Sequence, residues 1–203
     1  MLIPKEKEKD FIYSLIFNDS EKFKETISNN RINFERIASI ISSNRIEHFV
    51  LNKLKPFSRF SKLPKFFFEQ LEKNYFKKAI PTLKIIEKVF LLSNKLQEIN
   101  LEHVFLKGIA LHDQNKTYIR PMRDIDVLVN PEDLTQIVKL AESLGFKFKN
   151  KSNESIENFL NNSSFYDLPL MTDENGVFLE IHFRITTKSD NCSLKDNIFE
   201  SKK

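Results

Sequence analysis

Near residue 100 this chain changes period, and the change divides it into a helical first half and a second half that must build a sheet. Before that point apolar residues recur three and four apart. They are Phe11, Ile12, Leu15 and Ile16, then Ile37, Ile40 and Ile41, then Ile46, Phe49, Val50 and Leu54. That repeat collects side chains on one face of a helix. Asp19 or Ser20 is placed to cap a helix starting near Glu21, and Lys55-Pro56 and Leu63-Pro64 punctuate the region. A long helix is predicted from Pro64 to Ile99. Pro81 is expected to kink or split it, because proline lacks the N–H and crowds the preceding turn. Phe66, Phe67 and Phe68 read as core. No glycine occurs before residue 108.

After residue 100 the signals are those of a sheet. Val104-Phe105-Leu106 is a short apolar run, and Gly108 then opens a helix through Asp113. Ile125, Val127 and Val129 alternate with Asp124, Asp126 and Leu128, the two-residue period of a strand. Pro131 sits in the first turn of a helix over Glu132–Leu144 that Gly145 ends. Phe146-Lys147-Phe148 is a strand, and residues 150–162 form a polar loop or a short helix. Phe165–Met171 and Val177–Ile185 flank an Asn175-Gly176 turn and read as a hairpin. The order β-α-β-α-β-β-β gives an α/β (α+β) fold with a mixed sheet. An N-terminal helical region over residues 1–100 precedes a core over 101–203.

Charge follows the same division. Residues 1–100 carry 19 Lys and Arg against 12 Asp and Glu, and residues 101–203 carry 13 against 16. The basic excess is a solvated helical surface or a wall that attracts phosphates. No window of eighteen apolar residues exists, and the N-terminus lacks the apolar stretch of a secretory leader. Cys192 is the chain's one cysteine, so no intrachain disulfide forms. A cytoplasmic location without membrane partners is expected.

The chemistry gathers on the acids of the second half. Asp124 and Asp126 share a strand face, and two carboxylates side by side raise each other's pKa. In an apolar strand that repulsion needs compensation, and a divalent cation compensates best. Glu180, in the apolar run Val177-Phe178-Leu179-Glu180-Ile181-His182-Phe183, completes a set of three carboxylates suited to Mg²⁺ or Mn²⁺. On this reading Asp126→Asn relieves repulsion, and stability holds or rises. Lys107 and Gly108 stand where a helix N-terminus offers N–H groups to an anion. Glycine there lets backbone approach a ligand. Arg120 and Arg123 offer planar forks for phosphate or pair with the acids. His182 shares the face of Glu180; hydrogen bonding beside the cation suits it better than ligation, since Mg²⁺ favours oxygen. His48, His103 and His112 read as structural.

The segments Leu106-Lys107-Gly108, Arg120-Pro121, Asp124-Ile125-Asp126-Val127-Leu128-Val129 and Glu180-Ile181-His182 resemble, in that order, the DNA polymerase beta-like nucleotidyltransferase superfamily. More closely, they look like its uncharacterised bacterial nucleotidyltransferase family. The resemblance covers residues 101–185 closely and the N-terminal helices loosely. It implies transfer of a nucleoside monophosphate from an NTP, such as ATP, to a hydroxyl by a two-metal mechanism. Asp124, Asp126 and Glu180 are then the catalytic and metal-holding residues. Lys107, Gly108, Arg120, Arg123 and His182 contact the nucleotide or support its site. The acceptor is a small molecule, a protein or RNA. Two departures stand out. Ile109 follows Gly108 where the superfamily usually has serine. The chain also ends soon after the third carboxylate, where relatives often continue into helices, so the N-terminal helices or another protein are expected to complete the site, or activity is reduced. The alternatives are a non-catalytic binder that keeps the fold, as an antitoxin-like partner does, and an RNA-binding module led by the basic helices.

Overall fold

The computed structural model describes residues 6–28, 32–55, 63–111, 118–150, 155–162 and 164–185. His112, Asp113, Pro56 and Cys192, and with them the far end of the helix expected after Gly108, lie outside the described residues. The chain forms two compact units, Met1–Ile80 with Asp113–Pro121, and Pro81–His112 with Met122–Lys203.

In the first unit the helical repeats become α1 (Glu6–Ile16), α2 (Ser20–Ser28), α3 (Phe34–Ser43) and α4 (Glu47–Leu54), followed by α5 (Lys65–Glu98) up to Ile80. Asp19 caps α2, its Oδ1 accepting from the Lys22 N–H at 2.9 Å. Phe11, Phe23, Ile37, Ile41, Leu54, Phe67 and Leu71 fill the core. Of the three consecutive phenylalanines only Phe67 is fully buried, while Phe66 is exposed. Successive helical residues point about 100° apart, so one narrow face cannot bury all three.

Helix α5 runs unbroken through Pro81, so the expected split does not occur. A proline ring already holds the helical φ, and the lost backbone bond is outweighed by apolar burial on both sides of it. Pro81 instead marks where the chain passes from one compact unit to the other. The helical texture runs to Glu98, as expected, but the boundary between the compact units comes earlier, since Ile85, Val89, Leu92 and Leu96 of α5 belong to the core of the second unit.

That unit holds a five-stranded sheet in the order β1-β2-β5-β4-β3. Its strands are β1 (His103–Phe105), β2 (Asp124–Val129), β3 (Lys147–Phe148), β4 (Met171–Thr172) and β5 (Phe178–His182). Strand β2 pairs antiparallel with β1 and parallel with β5, while β4 pairs antiparallel with both β5 and β3. The sheet is mixed, as the sequence predicts. Helices α6 (Lys107–Ala110), α7 (Leu134–Ser143) and α8 (Ile156–Asn161) complete the unit; α8 is the short helix in the polar stretch. Ile125, Val127, Val129, Leu179 and Ile181 join Ile137 and Ala141 of α7 in one core. Period-two alternation therefore turns Asp124, Asp126, Glu180 and His182 to the other sheet face. At the β4–β5 turn Gly176 takes φ +75°. Asp173 Oδ1 accepts the N–H groups of Asn175 and Val177 at 2.9 Å each. No helix among the described residues is long and apolar enough to cross a membrane.

Candidate metal and nucleotide site

The parallel register of β2 and β5 sets Asp126 opposite Glu180 and Leu128 opposite His182. Carboxylates that the sequence separates by 54 positions thus become neighbours on one face. One donor atom from each of Asp126, Glu180 and His182 lies within 4.8 Å of the others. Asp124 is on the same strand face, opposite Phe178, but its carboxylate is not part of this convergent group, whose third member is the imidazole of His182.

Strand β1 brings the fourth member. The Leu106 N–H donates to the Asp126 carbonyl at 2.9 Å, which sets Lys107 beside Asp126. Lys107 Nζ donates to Asp126 Oδ1 at 2.5 Å and to Glu180 Oε2 at 3.2 Å. His182 Nε2 lies 3.0 Å from the same Asp126 Oδ1. Asp126 is 1% exposed, and its other oxygen, Oδ2, is buried with no hydrogen-bond partner among the described residues. A buried carboxylate oxygen without a partner is costly.

These contacts set the electrostatics. Burial works to raise the pKa of Asp126, but hydrogen bonds from His182 and Lys107 outweigh it and hold the carboxyl below its ordinary value. The mutual elevation expected of paired acids therefore fails at Asp126, because the His182 imidazole and the Lys107 ammonium stand beside it. Burial pushes the Glu180 carboxyl up, and Asp126 adds to the push. Burial disfavours the Lys107 charge, yet its bonds to the two acids more than restore it, so the group stays an ammonium.

The left-handed backbone falls on Lys107, at φ +49°, and Gly108 has no such φ. What Gly108 supplies is room, since a Cβ there would meet Met122 Cγ at 3.0 Å and Sδ at 3.1 Å. Met122 is itself pinned by its N–H donating to the Thr82 hydroxyl at 2.9 Å. A non-glycine residue in the left-handed region costs on the order of 1–3 kcal/mol, and such strain gathers at functional sites.

Arg123, just before β2, is exposed, and Arg120, also exposed, belongs to the first unit. There Arg120 helps burial to lower the pKa of His48, burial being the larger cause. His103 is occupied locally, its Nδ1 2.9 Å from the Leu101 carbonyl.

Two residues near the site escaped the sequence reading. Asp167 bridges to His182 across the strands, and burial raises its pKa, with Asp126 adding to the shift. Tyr166 lies parallel to the His182 ring at 7°, centroids 5.9 Å apart. Both fall in the stretch read as a regular strand, where a lone acid carries no signal.

Asp126, Glu180 and Lys107 lie within the span of a family described as an uncharacterised nucleotidyltransferase, whose model matches residues 30–202. Neither curated proteins nor solved structures gave a match.

Proposed function

The chain belongs to this nucleotidyltransferase family, and on that premise we propose that it transfers a nucleoside monophosphate from an NTP to a hydroxyl of an acceptor. The observation that carries the reading is the convergence of Asp126, Glu180 and His182, one donor atom of each lying within 4.8 Å of the others. The two carboxylates suit Mg²⁺ or Mn²⁺, with the imidazole hydrogen-bonded beside the cation. Asp126 and Glu180 are the holding residues, with Asp124 as the third carboxylate. When bound, such cations supply charge neutralisation on the phosphates and align the reacting oxygens.

The chain's own groups do the rest. Lys107 offers an ammonium to the triphosphate, and Arg123 adds a planar fork from beside β2. The N–H groups of a helix's first turn have no partner within the helix, and those of α6 would meet a phosphate oxygen. His182 fixes the orientation of Asp126 and is itself backed by Tyr166. In the transfer, the acceptor oxygen bonds to the α-phosphorus as the α–β bridging bond breaks. Pyrophosphate leaves with the electron pair, and the hydroxyl proton goes to solvent.

The test is incubation of the full chain with each α-labelled NTP, Mg²⁺ or Mn²⁺, and a cell extract as acceptor source. Divalent-dependent label on one species, with pyrophosphate release lost in Asp126→Asn, is the expected result. Absence of turnover with every NTP overturns transfer in favour of a non-catalytic nucleotidyltransferase-fold binder. The observation on that side is Asp124, which stands outside the convergent group.

A further inference from the structure

Lys107 occupies a position that a phosphate-binding lysine does not require. Its Nζ contacts both carboxylates, Asp126 Oδ1 at 2.5 Å and Glu180 Oε2 at 3.2 Å. These belong to the same side chains that converge with His182 as cation ligands. An ammonium and a divalent cation therefore compete for one pair of carboxylates, and like charges so close cannot share them.

The backbone sets these groups beside one another. Asp126 is buried and fixed by strand register opposite Glu180. Lys107 is held beside it by the Leu106–Asp126 backbone bond and by a left-handed φ. Its side chain, however, is 57% exposed, so the ammonium can swing away without repacking a core.

We infer that Lys107 is a resident counter-cation that makes the site discriminate against free divalent ions and admit them together with a nucleoside triphosphate. A free cation must expel the ammonium and leaves it no new partner. A cation bound to a triphosphate brings phosphate oxygens that accept the displaced ammonium, so both charges stay paired. Metal and nucleotide then bind with positive coupling, and by linkage each strengthens the other equally. The inference rests on the nucleotidyltransferase reading and adds which form of the metal the site accepts.

The experiment is a titration of the full chain with Mn²⁺, free Mn²⁺ being followed by electron paramagnetic resonance. It is run with and without the α,β-methylene analogues of ATP, GTP, CTP and UTP. Wild type should bind Mn²⁺ alone weakly and Mn²⁺ with one analogue much more tightly. Lys107→Ala should tighten Mn²⁺ alone by about tenfold, the worth of one charge-assisted hydrogen bond, and weaken the analogue, so the coupling collapses. Lys107→Arg keeps the charge and should leave Mn²⁺ alone weak. Lys107→Gln repeats the neutralisation at similar length, in case alanine unsettles the turn. If wild type binds the Mn²⁺–analogue pair but neither neutral variant tightens Mn²⁺ alone, the role of Lys107 is overturned and the nucleotidyltransferase reading stands. If wild type binds neither Mn²⁺ nor the pair, both fall.

Discussion

Replacing Asp126 by asparagine removes one charge at nearly constant volume, and the structure fixes the sign of the result. Considered as one of three crowded acids, Asp126 should be relieved by the change. Its Oδ1, however, faces Lys107 Nζ and His182 Nε2, and neutralisation turns charge-assisted bonds into ordinary ones. Each conversion costs about 1 kcal/mol. Part of that returns as weaker repulsion of Glu180, and Lys107 can take its charge to water, so the net loss is about 1–2 kcal/mol. For a chain of this size that lowers the Tm by roughly 2–8 °C. In wild type, Mn²⁺ with the analogue at a hundredfold excess over its Kd should stabilise by about 2.7 kcal/mol. Asp126→Asn should lose that shift. Differential scanning fluorimetry, checked by urea denaturation, reads both quantities. A variant as stable as wild type, or more so, refutes the pairing with Lys107. A variant that keeps the metal–nucleotide shift refutes Asp126 as a ligand.

The other substitutions separate packing, charge and chemistry. Asp124→Asn should change stability by less than about 0.5 kcal/mol, because Asp124 lies outside the bonded cluster, yet abolish label transfer; retained transfer removes Asp124 from the machinery. Gly108→Val should cost about 1–3 kcal/mol by driving a methyl into Met122, and adding Met122→Ala should recover part of it in urea melts. If the cost is independent of Met122, the close approach is not the reason for glycine. Asp173 is buried, which raises its pKa, but the Val177 N–H, Lys88 and the Asn175 N–H hold it below its ordinary value. Its contribution is therefore complete above the unfolded carboxyl pKa of about 4 and fades as pH falls through the lower folded value. Asp173→Asn, which keeps an acceptor oxygen for the turn, should flatten the acid limb of the stability curve between about pH 2 and 5. An unchanged limb assigns that pH dependence to other groups.

The amino-acid sequence alone determined the two textures of this protein, because both rest on local period. Three-to-four spacing makes α1–α5 amphipathic, and two-residue alternation turns Asp124 and Asp126 to one face of β2 and Glu180 and His182 to one face of β5. The Asn175-Gly176 turn and the Asp19 cap were equally legible, since each is decided within a few residues. Tertiary structure decided what lies across from what. The register of β2 on β5 put Glu180 beside Asp126, and the β1–β2 bond put Lys107 between them. No spacing announces either pairing. The same pairing reversed the expected pKa shift of Asp126, since the sign of an electrostatic effect depends on the nearest charge in space. Pro81 inside an unbroken helix makes the same point from the other side: its local penalty is real, but apolar burial along both halves of α5 exceeds it.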